Sequence, residues 1–329
     1  MNMNYREYWK EQIKLQLNWR ENQKNISKEY GYQNGNKYVH ILPKDEWHNT
    51  IWDKFKKELL DYLNKENIQH HTGSHNLLSS WVLCSNLYFG AFVNNNLKEL
   101  LRQVLEYKLA IKIDEIKDIQ LEFVLPEKLS PVYLLGEPGG KRGTKQTTPD
   151  LAIEYVTNGK VNLILVECKY TEHSFYDCPA KKDKSNDICI KKETMKSIKK
   201  ACIQIQWGRK YWEYLNISKS GYNILKCCPA YSGGYQIVRQ QALAEGIKKH
   251  GNYENVWSCI AYDGRNEGLM KSMHRIGINS IKNEWENLFE LKTKFVIWEH
   301  QEWAEYVRKN GKEKYENDWV KYINNRYEI

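Results

Sequence analysis

Pro149-Asp150 and Glu167-Cys168-Lys169 are separated by a stretch whose pattern brings them together. Sixteen residues lie between Asp150 and Glu167, with Asn158-Gly159 in the middle. Asn-Gly favours a two-residue hairpin turn, so the flanking segments are expected side by side as antiparallel strands. Side chains alternate along a strand, which puts Glu167 and Lys169 on one face. Leu163 to Val166 is an unbroken apolar run, the pattern of a strand buried on both faces, and it runs directly into Glu, Cys and Lys. Two carboxylates at the edge of a buried sheet repel each other, and desolvation penalises the charge on each. A divalent cation relieves both problems. Mg²⁺ takes one or two carboxylates, water and phosphate oxygens, so Asp150 and Glu167 supply the carboxylates and the backbone carbonyl of Cys168 a third oxygen, with Mn²⁺ as a substitute ion. Lys169 is then placed to orient an attacking water, to help it lose a proton, or to offset charge developing on a phosphate. Such a site hydrolyses phosphodiesters. The competing reading is a structural salt bridge, since Glu-x-Lys alone is a common sequence.

Pro149-Asp150…Glu167-Cys168-Lys169 resembles the PD-(D/E)XK motif of the restriction-endonuclease-like nuclease superfamily. Asn76-Leu77-Leu78-Ser79-Ser80, Gly140 to Thr144, Glu167 to Glu172 and Cys228-Pro229…Tyr235-Gln236 are similar to segments of a bacterial group of restriction endonucleases, which carries the likeness from about residue 70 to residue 266. The resemblance implies a mixed α/β core of helix, three strands, helix and strand. It implies a Mg²⁺-dependent DNA endonuclease that leaves a 5′-phosphate and acts in restriction or another anti-phage defence. A repair or recombination nuclease, and a non-catalytic nucleic-acid-binding module of the same fold, are the alternatives. The superfamily often adds an acid ahead of the motif Asp. Glu122 fits that role, Glu99 and Glu106 rival it, and an ordinary edge-strand carboxylate is the other reading. A polar residue on the helix after the motif Lys is also frequent, and Gln204, on one helical face with Lys200 and Tyr211, matches it. Glu154 shares the face of Asp150 but reads as structural.

The elements that must position these residues follow from periodicity. Tyr5 to Asn22 has helical spacing, and Asp45 can cap a helix running to about Asn64. His71 to Ser74 makes a turn, Leu77 to Val93 a mostly apolar helix, and Leu97 to Leu109 an amphipathic one. Ile119 to Leu125 alternates, with Ile119, Leu121, Phe123 and Leu125 on one side of a strand and Gln120, Glu122 and Val124 on the other. Gly136 to Thr148 is a Gly-rich basic loop. Asp150 to Val156 and Val161 to Tyr170 are the hairpin strands. A long helix over about Glu193 to Leu215 would bury Met195, Ile198, Cys202, Ile205 and Trp212. A turn at Ser232 to Gly234 opens a further helix to about His250, and Val256 to Tyr262 is a fourth core strand. A short strand at Lys294 to Trp298 lies among C-terminal helices, where Trp298, Trp303, Tyr306 and Trp319 have packing rather than base-stacking spacing. The expected organisation is a helical region over 1–96, a nuclease core over 97–266 and a mostly helical extension over 267–329 packed on the core.

The 329 residues carry 50 Lys and Arg against 41 Asp and Glu, a net charge of +9, which suits a polyanionic partner without requiring one. Lys141, Arg142 and Lys145 crowd the loop before the motif. Lys181, Lys182, Lys184, Lys191, Lys192, Lys196, Lys199 and Lys200 crowd the segment after it. These flanks bracket the motif and favour DNA as the partner, with solvated Lys-rich loops as the plain alternative. Nucleic-acid contacts are expected from Lys141, Arg142, Lys145, Lys200 and Arg239. The Lys141 to Lys145 loop would grip phosphates, free N–H groups at the helix start after Gly233-Gly234 would bind one, and Arg239 would reach base edges. Gln240 and Gln241 stand beside Arg239 as candidates for base edges. Eight cysteines contain no Cys-x-x-Cys pair, and His70, His71 and His75 lack matching ligands, so the thiols read as structural. No signal-peptide or membrane-span pattern is present, so no membrane partner is expected and the location expected is the cytoplasm. A homodimer would let one site per chain cut two strands, and any methyltransferase would be a separate chain.

Overall fold

The computed structural model describes residues 4–140, 142, 146–182 and 187–329. Its centre is a five-stranded mixed sheet: β1 (Glu115–Leu121), β2 (Leu151–Thr157), β3 (Lys160–Lys169), β4 (Val256–Tyr262) and β5 (Lys294–Glu299), in that spatial order. The first two pairings are antiparallel and the last two parallel. Asn158 and Gly159 sit at φ 51° and 71°, so the β2–β3 hairpin closes as a two-residue turn with both central residues left-handed. A parallel partner for β3 requires a crossover, and residues 170–255 supply it through α6 (Tyr235–His250). This is a restriction-endonuclease-like core with helices on both faces.

Alternation along the strands divides two hydrophobic layers. Leu151, Ile153, Tyr155, Ile164, Val166 and Cys168 pack against α3 (Ser80–Val93), α4 (Asn95–Leu109) and the C-terminal helices α7 (His300–Asn310) and α8 (Lys314–Tyr327). Ala152, Leu163, Leu165 and Ile260 face α5 (Pro131–Leu135), α6 and the short helices around them. The N-terminal α1 (Tyr5–Glu21) and α2 (Lys56–Lys65) complete the outer layer. Helix α3 is buried over Trp81 to Ala91, as its continuous apolar sequence requires. Asn86 in its middle is satisfied from afar: its side chain accepts from Trp52 N at 2.9 Å and donates to Thr50 O and Tyr327 OH, each at 3.0 Å. Among the described residues no helix is long and apolar enough to cross a membrane.

Three local expectations are corrected. The helix from Asp45 to Asn64 is instead a 3-10 helix (Lys44–Thr50) followed, after a gap, by α2. Asn86 captures the Trp52 N–H and, with Arg326, the Thr50 carbonyl, so long-range bonds draw the intervening backbone out of a helix. The single helix over Glu193 to Leu215 is a chain of short turns, Lys192–Ser197, Ile198–Ala201, Ile203–Gln206 and Tyr211–Tyr214. Its apolar stripe is still buried or half-buried. The backbone, however, is extended at Cys202 (ψ 122°) and left-handed at Gly208 (φ 78°), where the chain bends to clasp Leu135 through Lys210 N at 2.9 Å. Gly136 faces that clasp at φ 62°, with no room for a side chain because a Cβ would lie 2.0 Å from Gly208 O. The third correction concerns β1, which stops at Leu121. Glu122 turns the chain at φ 48°, and Phe123 and Leu125 join the layer opposite to Ile119 and Leu121.

Candidate active site

The register of β2 and β3 pairs Leu151 with Val166, and one further step sets Asp150 opposite Glu167. Asp150 Oδ2 accepts from Cys168 N at 2.8 Å, which pins its carboxylate at the end of β3. On the other side β1 pairs Leu121 with Leu151, and Glu122 N donates to Asp150 O at 3.1 Å. Glu122, Asp150 and Glu167 thus form a row across the ends of three neighbouring strands. Lys169, two residues beyond Glu167, reaches back so that Nζ lies 2.5 Å from Glu167 Oε1. All four line one solvent-open cleft of about 290 Å³, together with Thr148, Glu172, Tyr176 and Arg239. Cys168 turns its thiol into the opposite layer, leaving only its backbone on the site side of the strand.

Behind the row the strand end is braced from both ends of the chain. Lys169 O accepts from Asp263 N at 3.1 Å and faces His300 Nε2 at 3.2 Å. Tyr170 O accepts from Asn266 Nδ2 at 2.9 Å and from Tyr8 OH at 3.2 Å. The outer helices therefore hold this end of β3 in place.

Burial and mutual repulsion govern the charges. Burial, then the charges of Glu167 and Glu122, push the Asp150 carboxyl well above the usual carboxylate range. Burial and the nearby Glu167 charge push Glu122 up to about 8, against the opposing effect of a Thr148 hydrogen bond. Burial alone would drive Lys169 down. The carboxylates of Glu167, Glu172 and Asp150 outweigh it and hold the ammonium firmly protonated. The row thus carries an excess of buried carboxylate over cation, and that is a donor set for a hard divalent ion. Among the described residues no three His, Cys, Asp or Glu side chains close on a metal by themselves. Asp150 and Glu167, on adjoining strands, are the pair that fits an ion sharing protein oxygens with water and phosphate, and Glu122 flanks them.

Other expected site residues are placed as follows. Glu99 and Glu106, the rivals of Glu122, pair with Arg102 on α4. Glu154 accepts from Tyr253 OH at 2.5 Å, in a structural role. Arg142 bonds the carbonyls of Glu122 and Leu121 at 2.8 and 3.1 Å and Glu66 at 3.1 Å, so it clamps the end of β1 and fixes the Glu122 turn. Gln204 is buried away from the cleft, donating to Cys178 Sγ at 3.3 Å, and Lys200 is exposed on a neighbouring short helix; neither lines the cleft. Lys141 and Lys145, like Lys184 of the second basic run, lie outside the described residues. Two expectations at α6 are corrected. Tyr235 N and Gln236 N are not free for a phosphate, because they donate to Tyr176 O and Phe175 O at 3.1 and 2.9 Å. Gln240 and Gln241 are buried, bonded to Cys259 O and Thr293 Oγ1 at 2.9 and 2.7 Å, and cannot reach a base. All eight cysteines are free thiols.

Arg239 does line the cleft, and it is held there by Glu137. The buried Glu137 carboxylate accepts from Arg239 Nε at 2.9 Å, Tyr211 OH at 2.8 Å and Thr147 Oγ1 at 2.7 Å. This network ties the loop before the motif to α6. Glu137→Ala leaves a guanidinium and a phenol without their acceptor, and a loss of about 3 kcal/mol in unfolding free energy is expected by urea titration. Glu137→Gln, which keeps the acceptor oxygen, is expected to lose less. Equal stability of both variants and the parent would refute the anchoring role.

The chain matches the family described as restriction endonuclease associating with ARP over residues 12–328. It belongs to that family. No curated protein and no solved structure matches it. For a restriction endonuclease of this family the sequence motif leaves out His71, Trp81, Glu172, Tyr176 and Gln236, all of which line the cleft. They come from four places: the turn at His71, the start of α3, the segment directly after β3 and the start of α6. Glu172 and Gln236 carried a signal as members of the segments similar to bacterial restriction endonucleases, and His71 as one of a histidine cluster whose other members bond Ser74 Oγ and Tyr32 O.

Proposed function

We propose that this restriction-endonuclease family member is a Mg²⁺-dependent DNA endonuclease whose centre is Asp150, Glu167 and Lys169, flanked by Glu122. The observation that carries the reading is the row of three carboxylates, two buried and one half-buried, with a protonated lysine at its end, in one solvent-open cleft. Asp150 and Glu167 would hold the ion, with the Cys168 carbonyl as a third oxygen and Mn²⁺ able to replace Mg²⁺. When bound, the ion supplies a Lewis acid for the phosphodiester and a water of lowered pKa. Lys169 orients the attacking water and offsets negative charge on the phosphate. Water oxygen bonds to phosphorus as the bond to the 3′ oxygen breaks, and that oxygen takes a proton, so the products carry a 5′-phosphate and a 3′-hydroxyl. Arg239, the other permanent cation of the described cleft wall, is the candidate for a neighbouring phosphate.

Restriction of foreign DNA is the biological role this reading favours, and the family's description adds an association with an ARP. One such centre per chain cuts both strands of a duplex only as a homodimer or in two visits. The test is incubation of plasmid and phage DNA, methylated and unmethylated, with Mg²⁺, Mn²⁺ or EDTA. Discrete fragments with either metal and none with EDTA are expected. A folded protein that binds DNA but cuts none of these substrates would make it a non-catalytic binding module.

A further inference from the structure

Eight non-glycine residues among those described have positive φ. Asn34 and Asn158 sit in hairpin turns, Asn67, Ala110 and Glu328 end helices, and Glu127 opens a short 3-10 turn. The remaining two, Glu122 and Tyr176, line the cleft. Glu122 is thereby aimed at the carboxylate row. Tyr176, at φ 59°, is the aromatic member of the set, and a bulky side chain in this region is strained unless its surroundings impose it.

The surroundings do impose it. Tyr176 O accepts from Tyr235 N at 3.1 Å, Phe175 O from Gln236 N at 2.9 Å, and Phe175 N donates to Gly233 O at 2.8 Å. Asp177 Oδ1 takes Gly233 N at 2.8 Å, and Phe175 is fully buried. This strap spends the first N–H groups of α6 on holding one short segment. What the segment displays is Tyr176, a residue 51% exposed, with its ring centroid 5.9 Å from Lys169 Nζ. Beside it on the cleft wall, Gln236 has its side-chain oxygen buried without a hydrogen-bond partner.

We infer that Tyr176 is a stacking platform for an unpaired nucleobase next to the scissile phosphate, with Gln236 meeting the edge of that base. The inference rests on the nuclease reading of the same cleft. An exposed ring beside the lysine that meets the phosphate offers a flat π surface within one nucleotide of the reacting bond, and stacking on such a ring binds any base. The unpartnered Gln236 side-chain oxygen supplies an acceptor that a donor on the edge of a stacked base completes. A base inside an intact duplex cannot use the ring, so the substrate class is DNA in which this nucleotide is unstacked, whether flipped, mismatched or single-stranded.

The experiment places 2-aminopurine next to the mapped cleavage position in duplex, mismatched and single-stranded oligonucleotides. Binding is read by fluorescence with Ca²⁺ in place of Mg²⁺, and cleavage with Mg²⁺. Wild type and Tyr176→Phe are expected to share the same fluorescence change and to prefer the mismatched over the fully paired substrate. Tyr176→Gly is expected to lose the change and to raise KM about 10-fold or more while kcat stays within a few-fold. Its melting temperature should stay level or rise, since glycine suits the left-handed backbone. A Tyr176→Gly protein with wild-type KM, fluorescence and substrate preference would overturn the inference while leaving the nuclease reading intact. Failure of wild type to cut any oligonucleotide would instead sink the nuclease reading.

Discussion

Lys169→Ala should lower single-turnover cleavage by about 10³-fold or more, while DNA binding measured with Ca²⁺ stays within a few-fold of wild type. The expectation follows from where the ammonium lies. Its Nζ is 2.5 Å from Glu167, and Glu172 and Asp150 add to the field that keeps it charged. A buried cation of fixed position acts on charge that develops only as the phosphorus–oxygen bonds change, so its removal strikes the chemical step rather than the ground-state complex. A general acid–base or charge-stabilising group of this kind contributes about 10²–10⁴-fold. Lys169→Arg should rescue little, because a planar fork does not fit a pocket shaped for a point charge that is 2% exposed. Cleavage by Lys169→Ala within 10-fold of wild type would return Glu167 and Lys169 to the status of a structural ion pair.

A second large effect concerns stability rather than rate. Without divalent metal, the protein should lose stability as the pH rises from 6.5 to 8, and Glu122→Gln should remove much of that loss. The Glu122 carboxyl is held up to about 8 in the fold, against an unfolded value of about 4.3, and Asp150 moves in the same direction. A group raised by folding stabilises fully below its unfolded value, and the contribution disappears as the pH climbs through the folded value. The slope approaches about 1.4 kcal/mol per pH unit for one such group and levels off above its folded value. Buried His300, lowered to about 4, acts with the opposite sign, as do His40, His70 and His71, but most of their contribution is made below their unfolded value of about 6.5 and it is complete by about pH 7.5. The buried thiols raised by desolvation begin to act only near their unfolded value of about 8.5. Between these limits the carboxylate row governs. Melting curves of the metal-free protein should therefore fall by several degrees across this window. Added Mg²⁺ should restore more at pH 8 than at 6.5, because ligation requires ionised carboxylates. A flat metal-free profile, or the same fall in Glu122→Gln, would show that these carboxyls ionise without cost.

Much of the core was legible in the residues themselves wherever the controlling chemistry is local. Asn158-Gly159 can occupy two left-handed positions in succession, so the β2–β3 hairpin and its register follow from the turn, and with the register comes the pairing of Asp150 with Glu167. The apolar run before Glu167 and the mostly apolar stretch Val256–Tyr262 mark strands because a strand buried on both faces of a sheet is apolar throughout. Tertiary structure decided what depends on partners far along the chain. The helix expected over Glu193 to Leu215 has the right spacing of apolar residues, but burial of that stripe is satisfied equally by short turns that clasp Leu135. Glu122 enters the site through a left-handed turn held by Arg142 from twenty residues away. Tyr176 reaches the cleft because its strap occupies the N–H groups of α6, the groups that sequence alone offered to a phosphate. Hydrogen bonds between segments with no fixed spacing leave no periodic trace in the residues, so the motif was visible in the sequence while the cleft around it was not.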